Sequence, residues 1–373
     1  MKNKQWLLKS RPEGMFKTSD FEEKQSEIEE LKEGEALFKN LYLSFDPTQR
    51  GWAAVDTYLP AVPLNTVMRA IGIAQVIESK TSKFKKGDIV GGLVNWQEYF
   101  VVNKNDSQMM DFFVIPPYID LQLVLAFMGT GLTAYFGLKE VGKPKAGETV
   151  LVSGAAGATG SIVGQIARIQ GARVIGIAGG KEKCQWLKEV AHFDDAIDYK
   201  NEDVEKRIGE LCPNGINLYF DNVGGEILDA ALLHLALRGR VVICGQISQY
   251  DKINPKGVMF SAENVYGVKA ISMLIMKRAT MQGFLITDYL KNSAEGLLCL
   301  NQWVNDGKVI QQIDLKEGFD NIPETLLRVF QGKNIGKQLL KLSDPPLPLN
   351  KTFLGEILFS IYQKWVFWTK STF

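Results

Sequence analysis

The chain has 373 residues, 46% hydrophobic and 23% charged, enough to bury two sizeable cores in a soluble protein. Its 43 lysines and arginines nearly cancel 42 aspartates and glutamates, which removes the electrostatic case for a nucleic-acid partner or an anionic membrane. Two histidines, His192 and His234, and four widely spaced cysteines, Cys184, Cys212, Cys244 and Cys299, show no metal-ligand spacing; no zinc or other metal is expected, and the thiols read as reduced in a cytoplasmic protein.

The opening stretch MKNKQWLLKSRPEG has no apolar run long enough for a signal peptide. Residues 1–124 read as short strands divided by turns, among them Glu35–Ser44, Ile71–Glu78, Asp88–Val94 and Trp96–Val102, the simplest account being a compact, mostly β domain. From about residue 125 strands alternate with helices: Thr149–Ser153, Arg173–Ala178, Ala196–Tyr199, Asn217–Asp221 and Arg240–Cys244 are strand-like. Ser161–Gln170, Lys181–Val190, Glu202–Leu211 and Glu226–Leu237 have helical spacing. Such alternation predicts right-handed βαβ units, hence an α/β doubly wound parallel sheet over 125–312. Residues 313–342 return to short β-like segments around Gly318-Phe-Asp-Asn-Ile-Pro and are expected to complete the first domain.

The strongest motif is Ser153-Gly154-Ala155-Ala156-Gly157-Ala158-Thr159-Gly160, between a buried strand and a helix. In that setting Gly154 permits a tight turn, Gly157 lets backbone approach a pyrophosphate, and Gly160 allows close helix–strand packing. The helix start then offers free N–H groups to the phosphates. The spacing is G-x-x-G-x-x-G, so the context carries the reading more than the glycines do. At the end of the second strand, where NAD-binding folds place an acid on the ribose, the chain reads Ala178-Gly179-Gly180-Lys181-Glu182-Lys183. Lysine there suits a 2′-phosphate and points to NADP; the weaker alternative is that Lys181 and Lys183 merely solvate a helix start.

Several further stretches, in order, carry a resemblance: Tyr42-Leu-Ser-Phe-Asp-Pro-Thr-Gln-Arg50, Gly131-Leu-Thr-Ala-Tyr-Phe-Gly, the glycine-rich turn, Phe220-Asp-Asn-Val-Gly-Gly225, Cys244-Gly-Gln-Ile-Ser-Gln-Tyr250 and Gln282-Gly-Phe284. Over residues 1–342 the chain resembles the zinc-independent medium-chain reductases of the prostaglandin reductase and leukotriene B4 dehydrogenase type, bacterial curcumin-reductase-like enzymes above all. The resemblance implies a GroES-like β domain plus a Rossmann domain with the site in their cleft, NADPH-dependent reduction of activated alkenes, and a homodimer. It also implies contacts residue by residue. Ala156, Gly157, Ala158 and Thr159 look like the pyrophosphate loop, and Lys183 and Tyr199 look like the 2′-phosphate contacts. Asn222, the loop Cys244, Gly245, Gln246, Ile247, Ser248 and Tyr250, the run Phe284, Leu285 and Ile286, and Asn334 resemble the remaining contacts. Two departures touch the expected cleft: family members commonly carry an aromatic residue where Thr48 stands, and most have proline at Thr130.

Enone reduction needs hydride at the β-carbon, a donor for the developing enolate oxygen and a proton at the α-carbon. Tyr250 is the catalytic candidate, because it ends a loop after a sheet strand and the resemblance places the nicotinamide ribose beside it; an ordinary loop tyrosine is the alternative. Asp46 and Arg50 are expected to make a structural salt link. Trp52, Tyr58, Trp96 and Tyr99 fit either a substrate pocket or plain packing. Residues 343–373 add a stiff Pro345-Pro346-Leu347-Pro348 linker and an amphipathic pattern from Leu354 to Trp368. That pattern is expected to dock on protein, with a membrane surface less favoured. A quinone oxidoreductase and a non-catalytic NADPH-binding scaffold are the competing readings.

Overall fold

A computed structural model describes residues 1–103, 112–116, 119–252 and 265–348. The amphipathic pattern Leu354–Trp368 lies outside the described residues. An antiparallel hairpin of β1 (Lys2–Leu8) and β2 (Phe21–Glu27) opens the chain. It leads to β3 (Glu35–Ser44), β4 (Ile71–Ser79), β5 (Ile89–Leu93), β6 (Tyr99–Asn103) and β7 (Phe113–Ile115). Phe38, Phe45 and Trp96, each under 3% exposed, anchor the core beneath this sheet, where Trp96 stacks obliquely on Phe21 and Phe45.

A helical run from Leu121 to Gly142, alternating α and π hydrogen bonding, carries the chain out of this sheet. Asp120 caps it by accepting the N–H groups of Gln122 and Leu123 at 2.8 and 3.1 Å. It is long and apolar enough to cross a bilayer, but 67% of its most apolar window is buried inside the protein, as a core helix would be.

The second sheet contains β8 (Thr149–Ser153), β9 (Arg173–Ala178), β10 (Asp195–Asp198), β11 (Ile216–Asp221), β12 (Leu235–Ile243) and β13 (Thr280–Gly283). All six run parallel, in the order β10-β9-β8-β11-β12-β13. Their continuous apolar runs are what a sheet covered on both faces requires, and the helices Ala158–Ile169, Lys181–Glu189, Val204–Leu211 and Gly225–Leu233 supply the cover. The chain leaves β8 toward β9 on one side and later returns to β11 on the other, so the topological switch point falls between β8 and β11. The chain then rejoins the first sheet through β14 (Ile313–Glu317) and β15 (Lys337–Lys341), giving the order β14-β15-β3-β4-β5-β7 with β6 paired to β3.

Most elements shift by one to three residues at their ends from the sequence reading, and two stretches differ in kind. The helix expected over Glu226–Leu237 stops at Leu233, and β12 already starts at Leu235. Leu235 is fully buried beside Ile216, and an apolar run serves a strand there as well as a helix. Arg238, in the left-handed region at φ +60°, and a register shift against β11 break the regular alternation that would have revealed the strand. In the return segment, Phe319–Asn321 is a 3-10 turn and Ile322–Phe330 an α-helix, not β structure. Pro323 in its first turn has the fixed φ that a helix start accepts, so the Ile-Pro pair marks a start and not a break.

Candidate active site

The carboxyl ends of β8, β9, β11 and β12 meet at the switch point. Gly154 turns the chain at φ +57°. A Cβ on Gly160 would stand 2.4 Å from the carbonyl oxygen of Gly154, so glycine there lets the following helix close onto the turn. Gly157 is the N-cap, in an extended conformation, with no side chain capping the helix. The N–H groups of that first turn are therefore open to an anionic group, which is the donor set a pyrophosphate needs.

At the end of β9, Gly180 adopts φ +100° and its N–H donates to Asp198 at 2.7 Å. The same carboxylate accepts from the N–H of Lys200 at 3.1 Å and the side chain of Asn201 at 2.7 Å. Partial burial alone would raise this carboxyl, but these donors together pull it below the ordinary range. Lys183 reaches across to the carbonyl of Gly332 at 2.8 Å, and burial, aided by nearby Lys200, lowers its pKa. Tyr199 lies over Gly179. Lys181 is exposed and does not line the cavity, so of the two lysines considered Lys183 is the one brought to this end.

Asp221, at the end of β11, ties the floor together. Its carboxylate accepts from Ser153 Oγ and Tyr219 Oη at 2.8 Å and from the N–H groups of Val223 and Gly224 at 3.0 Å. Its backbone oxygen accepts the N–H groups of Cys244 and Gly245. Asn222 donates to the Ser153 carbonyl at 2.7 Å. Burial raises the Asp221 carboxyl against these donors, and burial pushes the Cys244 thiol up to about 12.

Tyr250 lies within the 3-10 turn Ile247–Lys252 that follows β12 and packs on Ala54 and Val55 of the first domain. Its hydroxyl accepts the N–H of Gln246 at 3.4 Å, and burial pushes its pKa up to about 12. Opposite stand Thr48, hydrogen-bonded to Tyr58 at 2.8 Å, and Trp52 from the short helix Gln49–Ala54. The salt link expected between Asp46 and Arg50 is not the one formed: Asp46 pairs with Lys337, and the buried Arg50 donates to the carbonyls of Pro12 and Gly14. Of the four aromatics considered, Trp52 and Tyr58 line the cavity; Trp96 is core and Tyr99 lies on β6 beside Lys39.

One cavity of about 1910 Å³ is lined by every residue named from the sequence as a cofactor contact, from Ala156 to Asn334. That exceeds the roughly 300–1,000 Å³ of a single small-molecule site, leaving room for a dinucleotide and a second molecule. Lys200, Gly129, Thr133 and Gln338 also line it and escaped the sequence reading. Lys200 directly follows Tyr199 and Thr133 lies within the Gly131-Leu-Thr-Ala-Tyr-Phe-Gly stretch, so both could have been found from their neighbours; no motif points to Gly129 or Gln338. His192 and His234 lie outside the cavity. Among the described residues, no three His, Cys, Asp or Glu side chains are grouped to hold a metal ion.

A β domain closing over the switch point of a Rossmann sheet defines a two-domain dehydrogenase/reductase. Residues 4–110 match the family described as the N-terminal domain of oxidoreductase, and residues 158–298 the family described as zinc-binding dehydrogenase. Tobacco (Nicotiana tabacum) NADP(+)-dependent 2-alkenal reductase is 38% identical over 352 residues, covering 91% of this chain and 98% of that one. The NADPH-dependent curcumin reductase of Escherichia coli (strain K12) is 33% identical, covering 92% and 97%. CurA from Vibrio vulnificus, solved in complex with NADPH, superposes with a TM-score of 0.83 at 35% identity, over 92% of this chain and all of that one. The chain belongs to the medium-chain dehydrogenase/reductase family, in the branch of the curcumin, alkenal and prostaglandin reductases, and the GroES-like plus Rossmann fold is borne out. The Escherichia coli quinone oxidoreductase, at 20% identity and a TM-score of 0.68, shares the fold alone.

Proposed function

We propose that this protein is an NADPH-dependent reductase of the carbon–carbon double bond of α,β-unsaturated ketones and aldehydes. The observation that carries the reading is the single cavity joining an uncapped helix N-terminus, a lysine-lined adenosine end and the Tyr250 hydroxyl. The extended likeness to the alkenal and curcumin reductases supports it.

Residues 125–312 form the cofactor domain, and 1–124 with 313–342 the domain that closes over it. Ala156, Gly157, Ala158 and Thr159 seat the pyrophosphate, and Lys183 with Tyr199 meets the 2′-phosphate. Asn222, the residues Cys244 to Ser248 with Tyr250, Phe284 to Ile286, and Asn334 hold the nicotinamide half. When bound, NADPH supplies the hydride that the acceptor's β-carbon takes. Tyr250, kept neutral by its high pKa, donates a hydrogen bond to the acceptor oxygen as enolate charge develops there. Thr48, Trp52, Tyr58 and Gly129 bound the acceptor chamber and exclude water from it.

The chemistry needs no zinc on this reading, since a hydroxyl donor does the polarising. The four cysteines are unpaired, in keeping with a reducing cytoplasm. A homodimer is supported by the outer edge of β13, which pairs with no further strand among the described residues, and by Ile271, Ile275 and Met276 just before it in the chain, exposed by 47%, 78% and 67%. Docking of the C-terminal extension on protein is supported at its start, where Leu347 in the proline-rich linker exchanges two hydrogen bonds with Gln75, at 2.9 and 3.0 Å. The testing experiment is NADPH consumption across enals, enones and quinones with product identification. Saturated ketones or aldehydes are expected; turnover of quinones alone would replace the reading, and NADPH binding without any turnover would favour a scaffold.

A further inference from the structure

We propose that Lys337 is a positioning residue that sets the spacing between the cofactor's pyrophosphate seat and the acceptor wall, an inference that rests on the reductase reading above. Its neighbour Gly336 is pinned to the phosphate turn. The N–H of Gly336 donates to the Ala156 carbonyl at 2.8 Å, and Gly336 pairs with Gly157 in an isolated parallel bridge. Gly336 has φ +71°, and a Cβ on it would stand 2.1 Å from the carbonyl oxygen of Gln312, so the chain passes there with no slack.

One residue later the side chain reaches back into its own domain, at the end of β3. Lys337, 1% exposed, pairs through its ammonium with the Asp46 carboxylate and lies 3.4 Å from the Phe45 carbonyl oxygen. Asp46 is further fixed by the Ser44 hydroxyl at 2.5 Å and, through its own N–H, by the Gln49 side chain at 3.0 Å. The next residues, Pro47 and Thr48, are chamber wall. Two consecutive residues, about 3.8 Å apart at Cα, thus hold one contact to the hydride donor's seat and one to the acceptor's.

A buried ion pair of this kind adds little net stability but has a fixed direction. Hydride transfer is sensitive to that direction, since a displacement near 1 Å costs roughly 10²-fold. Lys337→Gln should leave NADPH affinity, read by fluorescence titration, little changed. It should lower kcat/KM for 4-phenylbut-3-en-2-one by roughly 10- to 100-fold and enlarge the primary isotope effect from 4-deuterated NADPH. Lys337→Arg should restore part of the loss. Wild-type kcat/KM in folded Lys337→Gln overturns the proposal. So does a parallel loss of NADPH affinity, or a loss confined to active-site concentration with KM and isotope effect unchanged. Should the single variant not fold, Asp46→Asn/Lys337→Gln, which leaves no unpaired buried charge, should show the same split; wild-type turnover in it overturns the proposal equally. A wild-type protein that binds NADPH yet reduces no enone or enal removes the reductase reading and this inference with it, whereas wild-type turnover with an indifferent Lys337 removes the inference alone.

Discussion

The floor of the cleft and its wall hold their shapes by different means. At the floor, strand ends fix backbone geometry: Gly154, Gly157 and Gly160 shape one turn, and the Asp221 carboxylate gathers the ends of β8 and β11 and the start of the loop between them and the next helix. At the wall, side chains far apart in sequence do the work, such as Lys337 with Asp46 and Tyr250 against Ala54 and Val55. A floor built on backbone amides offers the same donors to any dinucleotide pyrophosphate, so on the proposed reading the choice of cofactor falls to Lys183 and its surroundings. A wall built on side chains can change shape by single substitutions without disturbing the sheet.

The sharpest way to break the comparison is Tyr250→Phe, which removes a wall-side donor while leaving the floor intact. The hydride step should fall by roughly 10²–10³-fold, far more than NADPH affinity does, as stopped-flow and titration would show; near-normal turnover would demote Tyr250 to packing. Next in size is Lys183→Ala. One charge-assisted hydrogen bond contributes about 1.5–3 kcal/mol, so NADPH should weaken by roughly 10- to 100-fold and NADH far less. Equal loss for both cofactors would place the 2′-phosphate elsewhere.

These two residues also mark what the sequence makes legible. Both stand in local motifs, Lys183 just after β9 and Tyr250 just after β12; β8 (Thr149–Ser153) and β9 (Arg173–Ala178), apolar runs each followed by glycine, match the sequence reading residue for residue. The Lys337–Asp46 pair joins residues 291 positions apart, and such a pairing leaves no local periodicity to read. Asp221 stands inside a recognised motif, yet its role as a hub depends on Ser153 and Tyr219 converging from two strands. The helix Ile322–Phe330 was hidden by a proline that reads as a breaker until its position in the first turn is known.

A smaller effect sharpens the account of the wall. Gly129 faces open space, with no atom within 4 Å of where its Cβ would be. Gly129→Leu should therefore fold normally and fill part of the chamber, raising KM for a bulky aryl enone by roughly 10-fold while sparing methyl vinyl ketone. Equal KM values for both acceptors before and after would move the chamber away from Gly129. The smallest expected effect is none at all. With the Tyr250 hydroxyl raised to about 12, the donor stays protonated as pH rises through the ordinary tyrosine range. The hydride step should consequently run flat from neutral pH to about 10, and a fall centred near 10 that Tyr250→Phe abolishes would contradict the burial of this hydroxyl.

The most direct test follows the transferred hydrogen itself. The protein, NADPH deuterated at C4 on either face in turn, and an α,β-unsaturated ketone should yield the saturated ketone with deuterium at the β-carbon from one face only. Label at the carbonyl carbon, as in an alcohol product, or no label in any reduced acceptor, would contradict double-bond reduction in this cleft.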